Sequence, residues 1–362
     1  MEYRGSAVRG CLLGLGAGDA MGGPVDGKKW DEICENYGPN GLLGYDLANG
    51  TADISSYTQL AAFGCNGLLL AASRDKYDKF PRYLAMSLRE WAKSQQFRGA
   101  ATEKTYCWLA QVPEMRRRNC VDPKLPEALG REVLGTPEKP VPRSDSPAAL
   151  TAAVAAGILY DPDKMSREAL IRLGAYAVAF TNGEPKAWLS GAVLACIIGD
   201  IMAAPDKNLS QVVTEAADAV AEVYPGEDAN TVAGLLKLAV TYARDMELTP
   251  LAALSMLGCT TTEQCLAGAV CACLFHPNNF DEAMIAAVNH SGRSCAVGAV
   301  TGAILGAKLE AEAIPTFYLE SLEQGAILAE LAEDVVQGRE LMRIFDADWE
   351  QKYTYGMPAN AN

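Results

Sequence analysis

Two ladders of glycine at four-residue spacing constrain this chain more than any other feature. Gly10, Gly14, Gly18 and Gly22 form the first, within and just beyond Arg9 to Met21. Gly298, Gly302 and Gly306 form the second, within AVNHSGRSCAVGAVTGAILGA from Ala287 to Ala307. Residues four apart share one face of a helix, and a face without side chains lets two backbones approach more closely than Leu-faced helices can. In a membrane such ladders read as a dimerisation face, but Asp19 interrupts the first, which is also too short to span. The two helices are therefore expected to pack on each other, or around one site, in water. The second ladder is preceded by an irregular Asn-His-Ser-Gly-Arg-Ser-Cys segment. A loop mounted on the start of a tightly packed helix is where a binding site would be built, because the helix fixes its geometry and the first helical amides point outward.

Composition agrees with helices packed through small side chains: 49% of the 362 residues are hydrophobic, chiefly Ala, Leu and Val, and only 7% are aromatic. No strand-like alternation of useful length and no fixed-period repeat occurs, so the expectation is all-α. The length allows either two domains or one large one. A formal charge of −14, spread along the chain, repels phosphate backbones and anionic headgroups and so argues against nucleic-acid and membrane partners. The eleven cysteines include no CxxC pair, and MEYRGSAVRG has no signal-peptide pattern, so buried free thiols in a soluble, cytoplasmic protein are expected rather than disulfides or a zinc site. No uninterrupted apolar run reaches the roughly 18 residues of a membrane span.

Along the chain, GGPVDG reads as a turn and WDEICENYG as a short amphipathic helix stopped by Gly38. Ser55 and Ser56 are candidate caps of the helix that follows Thr58, and another helix is expected around Tyr83 to Lys93. Between Pro113 and Pro147 lie seven of the 18 prolines and the run Arg116, Arg117, Arg118. This proline density excludes long helices and predicts an extended surface excursion at about 113–147, the arginines a solvated face or an anion contact. Helical patterning resumes at Ala148, with breaks near Asn182, Pro205, Pro225, Pro250, Pro277 and Pro315. Thr260 and Glu263 have capping-box spacing.

Three segments resemble the ADP-ribosylglycohydrolase family, the dinitrogenase-reductase-activating and crystallin group. RGCLLGLGAGDAMGGPVDG is similar to the family's Gly-x-x-x-Gly-x-x-x-Gly-Asp-Ala-x-Gly-x-Pro-x-Glu, and ISSYTQLAAF to its Ile-Thr-Asp-Asp-Thr-Gln-Met. AVNHSGRSCAVGAVTGAILGA is similar to its Ala-Val-Asn-x-Gly-Gly-Asp-Ser-Asp-Thr segment and the Gly-x-x-x-Gly-Ala beyond it; IPTFYLESLE also resembles Ile-Pro-x-x-Trp-Leu-x-x-Leu. The resemblance implies a single-domain, all-α orthogonal helical bundle over residues 1–362. It also implies hydrolysis of the glycosidic bond between ADP-ribose and an acceptor side chain, with two magnesium ions held by the Thr-Asp-Asp and Asp-Ser-Asp-Thr segments. Two divalent cations need a cluster of hard anionic oxygens, and here that cluster is replaced. Thr-Asp-Asp becomes Ser55, Ser56, Tyr57. Gly-Asp-Ser-Asp-Thr becomes Gly292, Arg293, Ser294, Cys295, Ala296. The early glutamate is Asp26. The family's Thr-His-Gly is Thr181, Asn182, Gly183, and its phosphate-contacting stretch is Pro142, Arg143, Ser144, Asp145, Ser146 onward, with Ala152 in place of an arginine.

The cleft implied by the resemblance is thus lined by Asp19, Asp26, Ser55, Ser56, Tyr57, Ser144, Asp145, Asn182, Gly292, Arg293 and Ser294, with no metal and no cofactor expected. One reading is a pseudoenzyme, a binding or regulatory protein in which Arg293 pairs with Asp19 or Asp26 or receives an ADP-ribose-like or other anionic ligand, or in which the cleft serves a protein partner. Tyr57 then stacks on a ligand or fills vacated volume. A second reading is a hydrolase working without metals, with Cys295 and His290 as a nucleophile pair and Asp26 or Asp145 as acid or base. A third is a structural or assembly protein.

Overall fold

The computed structural model describes residues 5–47, 50–96, 105–140, 144, 146–341 and 347–353. Among them the chain forms 17 α-helices and no strand, only the isolated bridges Ala52–Leu322 and Thr136–Lys139. In chain order, α1 (Gly5–Gly22), α2 (Trp30–Tyr37), α3 (Ser56–Ala72) and α4 (Phe80–Gln96) precede the proline-rich stretch, which carries α5 (Lys124–Leu129). Then follow α6 (Ala152–Ile158), α7 (Arg167–Ala179), α8 (Pro185–Ala203), α9 (Leu209–Val223), α10 (Glu227–Arg244) and α11 (Pro250–Leu257). The last are α12 (Thr262–Phe275), α13 (Phe280–Val288), α14 (Ser294–Leu309), α15 (Thr316–Glu320), α16 (Gly325–Leu341) and α17 (Ala347–Tyr353).

The ladders meet each other. A Cβ built on Gly10, Gly14 or Gly18 of α1 would lie 2.1, 2.2 or 2.0 Å from the carbonyl oxygens of Gly306, Gly302 and Gly298 of α14. The register is constant along the pair, so α1 and α14 run antiparallel in backbone contact, and no residue larger than glycine fits between them. The fourth glycine, Gly22, abuts the Cys295 backbone at the first turn of α14. This pair is the central axis; α16 covers α1, with Leu328 against Gly16, and α12 and α13 pack on α14.

Around the axis, α3 packs on α4 and α6, and α8 on α6, α7, α9 and α10. Phe80, Tyr83, Leu84, Ser87, Leu88 and Trp91 are the buried stripe of α4, at the helical spacing that turns one face inward. One continuous hydrophobic cluster runs from Ala7 to Tyr353. Of the described helices α8 is long and apolar enough by length and composition to cross a membrane, although Lys186 and Asp200 interrupt its apolar run, and 89% of its apolar window is buried inside the protein. Its role here is that of a core helix.

Local signals act where expected, with two corrections. Gly38 ends α2 at φ 89°, a conformation costly for any residue with a side chain, and Ser55 caps α3 by accepting from Tyr57 N. The capping box at α12 is shifted by one residue: Thr261 is the cap, and Gln264 Oε1 accepts from the backbone N–H groups of Thr260 and Thr261. The proline-rich stretch is not a loose excursion. Its short helical turns bury Met115, Leu125 and Leu129. Residues 117–121 strap the start of α3: Ser56 N donates to Asn119 O, Val121 N donates to Ser56 Oγ, and Gln59 Nε2 donates to Arg117 O. Arg117 is not merely solvated either, since it pairs with Asp53 at 3.1 Å and Glu323 at 2.8 Å.

Candidate functional site

Asp19 sits three residues before the end of α1, facing the start of α3. Its carboxylate accepts from Ser55 N (2.8 Å), Ser55 Oγ (2.7 Å), Thr58 N (3.1 Å) and Thr58 Oγ1 (2.6 Å). Two first-turn amides and two hydroxyls thereby find an acceptor, and a negative charge lies at a helix N-terminus, where the dipole favours it. Burial raises the carboxyl above its ordinary value of 3.8, with the four hydrogen bonds pulling the other way. Thr58 was not singled out from the sequence; its position one turn into a helix with Ser55 at the cap is the signal that would have found it.

The loop before α14 is bound on every side. Asn289 is buried and bonded through Oδ1 to Leu42 N and through Nδ2 to Leu42 O and Ile285 O. Gly27 N donates to Gly292 O at 2.9 Å, Arg293 N to Cys259 O at 2.8 Å, and Ser294 Oγ to Val288 O at 2.8 Å. Gly292 is required by closeness: its Cβ would lie 2.4 Å from Cys259 O. On this frame Asp26, just after the turn that follows α1, accepts from Cys295 N (3.1 Å) through Oδ1 and pairs with Arg293 Nη2 (3.1 Å) through Oδ2. Burial raises the Asp26 carboxyl, opposed by the charge of Arg293 and the Cys295 amide. Of the two carboxylates considered for Arg293, Asp26 is its partner and Asp19 is occupied by α3.

Tyr57 points inward and is fully buried, filling volume rather than offering an exposed ring. Burial drives its phenol well above its ordinary range, and its neighbours include Cys295, Asp26, Cys265 and Arg293. Tyr57 Oη and Arg293 Nε are buried without a well-aligned hydrogen bond, and the phenol lies beside the guanidinium, which it helps to hold charged.

The pairing of Cys295 with His290 is not formed. His290 Nδ1 accepts from Gly292 N at 3.0 Å, so Nε2 carries the proton and donates to Ala287 O at 3.0 Å. With both ring nitrogens used and burial lowering its pKa to about 4, His290 is a neutral structural group. Cys295 Sγ lies 3.6 Å from Asp19 O, and burial pushes its thiol well above the ordinary value, the reverse of an activated nucleophile. Ser56 is fully buried under the strap. Asn182 is buried, its Nδ2 donating to Ser146 O at 2.9 Å and its Oδ1 accepting from Thr181 Oγ1 at 3.1 Å, so it positions the segment beside Ser144. Asp145, like Pro142 and Arg143, lies outside the described residues.

The structure thus brings Asp19, Ser55 and Thr58 into one knot and Asp26, Arg293, Cys295 and Tyr57 into another, on either side of the α3 start. This donor set does not fit two magnesium ions. Where the resemblance implies four carboxylates are a hydroxyl tied to a backbone amide, a buried phenol, a guanidinium and a buried thiol. Among the described residues no group of three or more His, Cys, Asp or Glu side chains is arranged to hold a metal.

The family model described as ADP-ribosylglycohydrolase matches residues 2–344. A solved structure titled "ADP-ribosylglycohydrolase-related protein complex" aligns over 94% of this chain and 99% of its own at 20% identity, with a TM-score of 0.52, a likeness of fold. No curated protein matches. With the match spanning nearly the whole chain, this protein belongs to the ADP-ribosylglycohydrolase family.

Proposed function

We propose that this chain is a non-hydrolysing member of its family, a binding or regulatory protein whose cleft has exchanged two magnesium ions for an internal ion pair. The observation that carries the reading is Arg293 on Asp26 at 3.1 Å, in the loop where the resemblance places metal-binding carboxylates. A guanidinium fixed about 4 Å from a divalent ion would oppose it by on the order of 8 kcal/mol at an effective dielectric of about 20. The remaining carboxylates are committed, Asp19 to four donors and Asp26 to two. A small anionic, ADP-ribose-like ligand is the class this cleft would receive, through the exposed part of Arg293. A reduced, cytoplasmic setting accords with eleven cysteines that are all free.

Calorimetric titration of chelator-treated protein with magnesium chloride and then with ADP-ribose, beside an assay for release of ADP-ribose from an ADP-ribosylated arginine substrate, tests this. No saturable magnesium heat and no release are expected. Stoichiometric magnesium binding that Asp26→Asn abolishes overturns the reading. Metal-free release lost in Cys295→Ala replaces it with a metal-independent hydrolase.

A further inference from the structure

At the opposite end of the axial helix pair lies a cavity of about 450 Å³, within the size range of small-molecule sites. Its lining includes Lys308, fourteen residues along α14 from Ser294, hence about 21 Å from the family cleft. Three cations, Lys207, Arg244 and Lys308, line it together with one carboxylate, Asp206. Lys207 is paired with Glu215 from outside the lining. Lys308 Nζ donates to the carbonyl oxygens of Pro205 and Lys207, pinning the turn that forms the rim. Arg244, the last residue of α10, is exposed and meets no carboxylate among the described residues; Nη2 donates to Ser210 Oγ at 3.0 Å. With Asp206 and Glu215 set against the three cations, one net positive charge remains in the concavity of a chain of formal charge −14; α9 starts at its wall with the same sign of dipole, and Arg244 stands at the end of α10, where the dipole has the opposite sign. The rest of the wall is apolar: Leu209, Val240, Ala243, Leu274 and Pro277.

We infer that this cavity is a second ligand site, for a small phosphate monoester whose anion meets Arg244 and whose organic part lies on the apolar wall. Guanidinium presents paired N–H donors matched to phosphate oxygens, and one phosphate in this volume leaves room for a sugar-sized body. The site is independent of the family cleft and of the loss of magnesium there.

Calorimetry on the full chain with ribose 5-phosphate and with inorganic phosphate tests it. Ribose 5-phosphate is expected to bind with the higher affinity, and Arg244→Gln to weaken it about tenfold or more, as loss of a charge-assisted contact does. Arg244→Glu should abolish binding, and Arg244→Gln should melt close to the parent without ligand, because the side chain is exposed and its hydrogen bond is to the Ser210 hydroxyl. No saturable binding, equal affinity for the two probes, or a loss that follows Arg293→Gln rather than Arg244→Gln overturns the inference.

Discussion

Arg293 is the residue on which the site turns. Its ion pair with Asp26 is half-shielded from solvent, so Arg293→Gln is expected to lower unfolding free energy by about 1–2 kcal/mol in urea titrations, between the values for exposed and buried pairs. Asp26→Asn together with Arg293→Gln should cost less than the two singles added, by about 1 kcal/mol, if the pair acts as a unit. Asp19 makes a prediction in pH. Its native pKa, like that of Asp26, is raised above 3.8, so each contributes stability that is fully present below that value and is lost as pH rises through the native one. Melting temperatures followed from neutral pH down to below 3.8 should therefore show a smaller stabilising contribution in Asp19→Asn than in the parent; an unchanged profile would remove Asp19 from that role. Cysteine reactivity reads the same site. Cys34 and Cys120 are partly exposed and the other nine thiols are buried. Labelling of the native protein at neutral pH should reach those two and leave Cys295 untouched until unfolding.

At the scale of elements, the α1–α14 contact is the least tolerant part of the fold. Gly302→Ala would put a methyl group 1.9 Å from Gly14 O, which only separation of the two backbones can relieve. A loss of about 3 kcal/mol or more is expected, at the upper end of overpacking costs, and the soluble yield should fall with it. Gly234 is the control, within α10 and with open space where its Cβ would be. Gly234→Ala should raise stability by about 0.5–1 kcal/mol through helix propensity alone. Opposite signs for two Gly→Ala changes in helices would separate packing from propensity. Separation of α1 from α14 also moves Gly22 away from Cys295, so Gly302→Ala should disturb the Asp26–Cys295 bond although it lies two helical turns away.

At the scale of the whole molecule, the proposed exchange of metals for an internal cation predicts indifference to magnesium. The melting temperature of the parent should not change with added magnesium. Ser56→Asp, Tyr57→Asp, Arg293→Asp and Cys295→Asp combined would restore carboxylates at the four positions, packing like charges against one another in a buried site. That variant should be strongly destabilised alone and recover stability as magnesium is added, because a ligand that binds only the native state stabilises it. A magnesium-dependent rise in the parent, or its absence in the fourfold variant, would count against the account of how the site changed.

Residue types and spacing were enough for the helices and their axis. Glycine at every fourth position has one efficient use in water, and small-residue helices broken by Pro or Asn have few other ways to bury themselves, so the all-α architecture and the breaks near Pro205, Pro225, Pro250, Pro277 and Pro315 were legible in the chain. That Ser56, Tyr57, Arg293 and Cys295 stand where the resemblance implies carboxylates was legible too, since a side chain's chemistry is fixed before folding. The choice of partner was not. Arg293 had Asp19 and Asp26 as candidates, and His290 had Cys295 five positions away; the backbone path decided both, placing Thr58 and Ser55 on Asp19 and turning each nitrogen of His290 to a main-chain group. Nor did proline content reveal that residues 117–121 cover the start of α3. Hydrogen bonds are short-ranged and directional, so which donor meets which acceptor across 58 or 269 residues of chain is decided only when helices packed by non-directional burial bring them together.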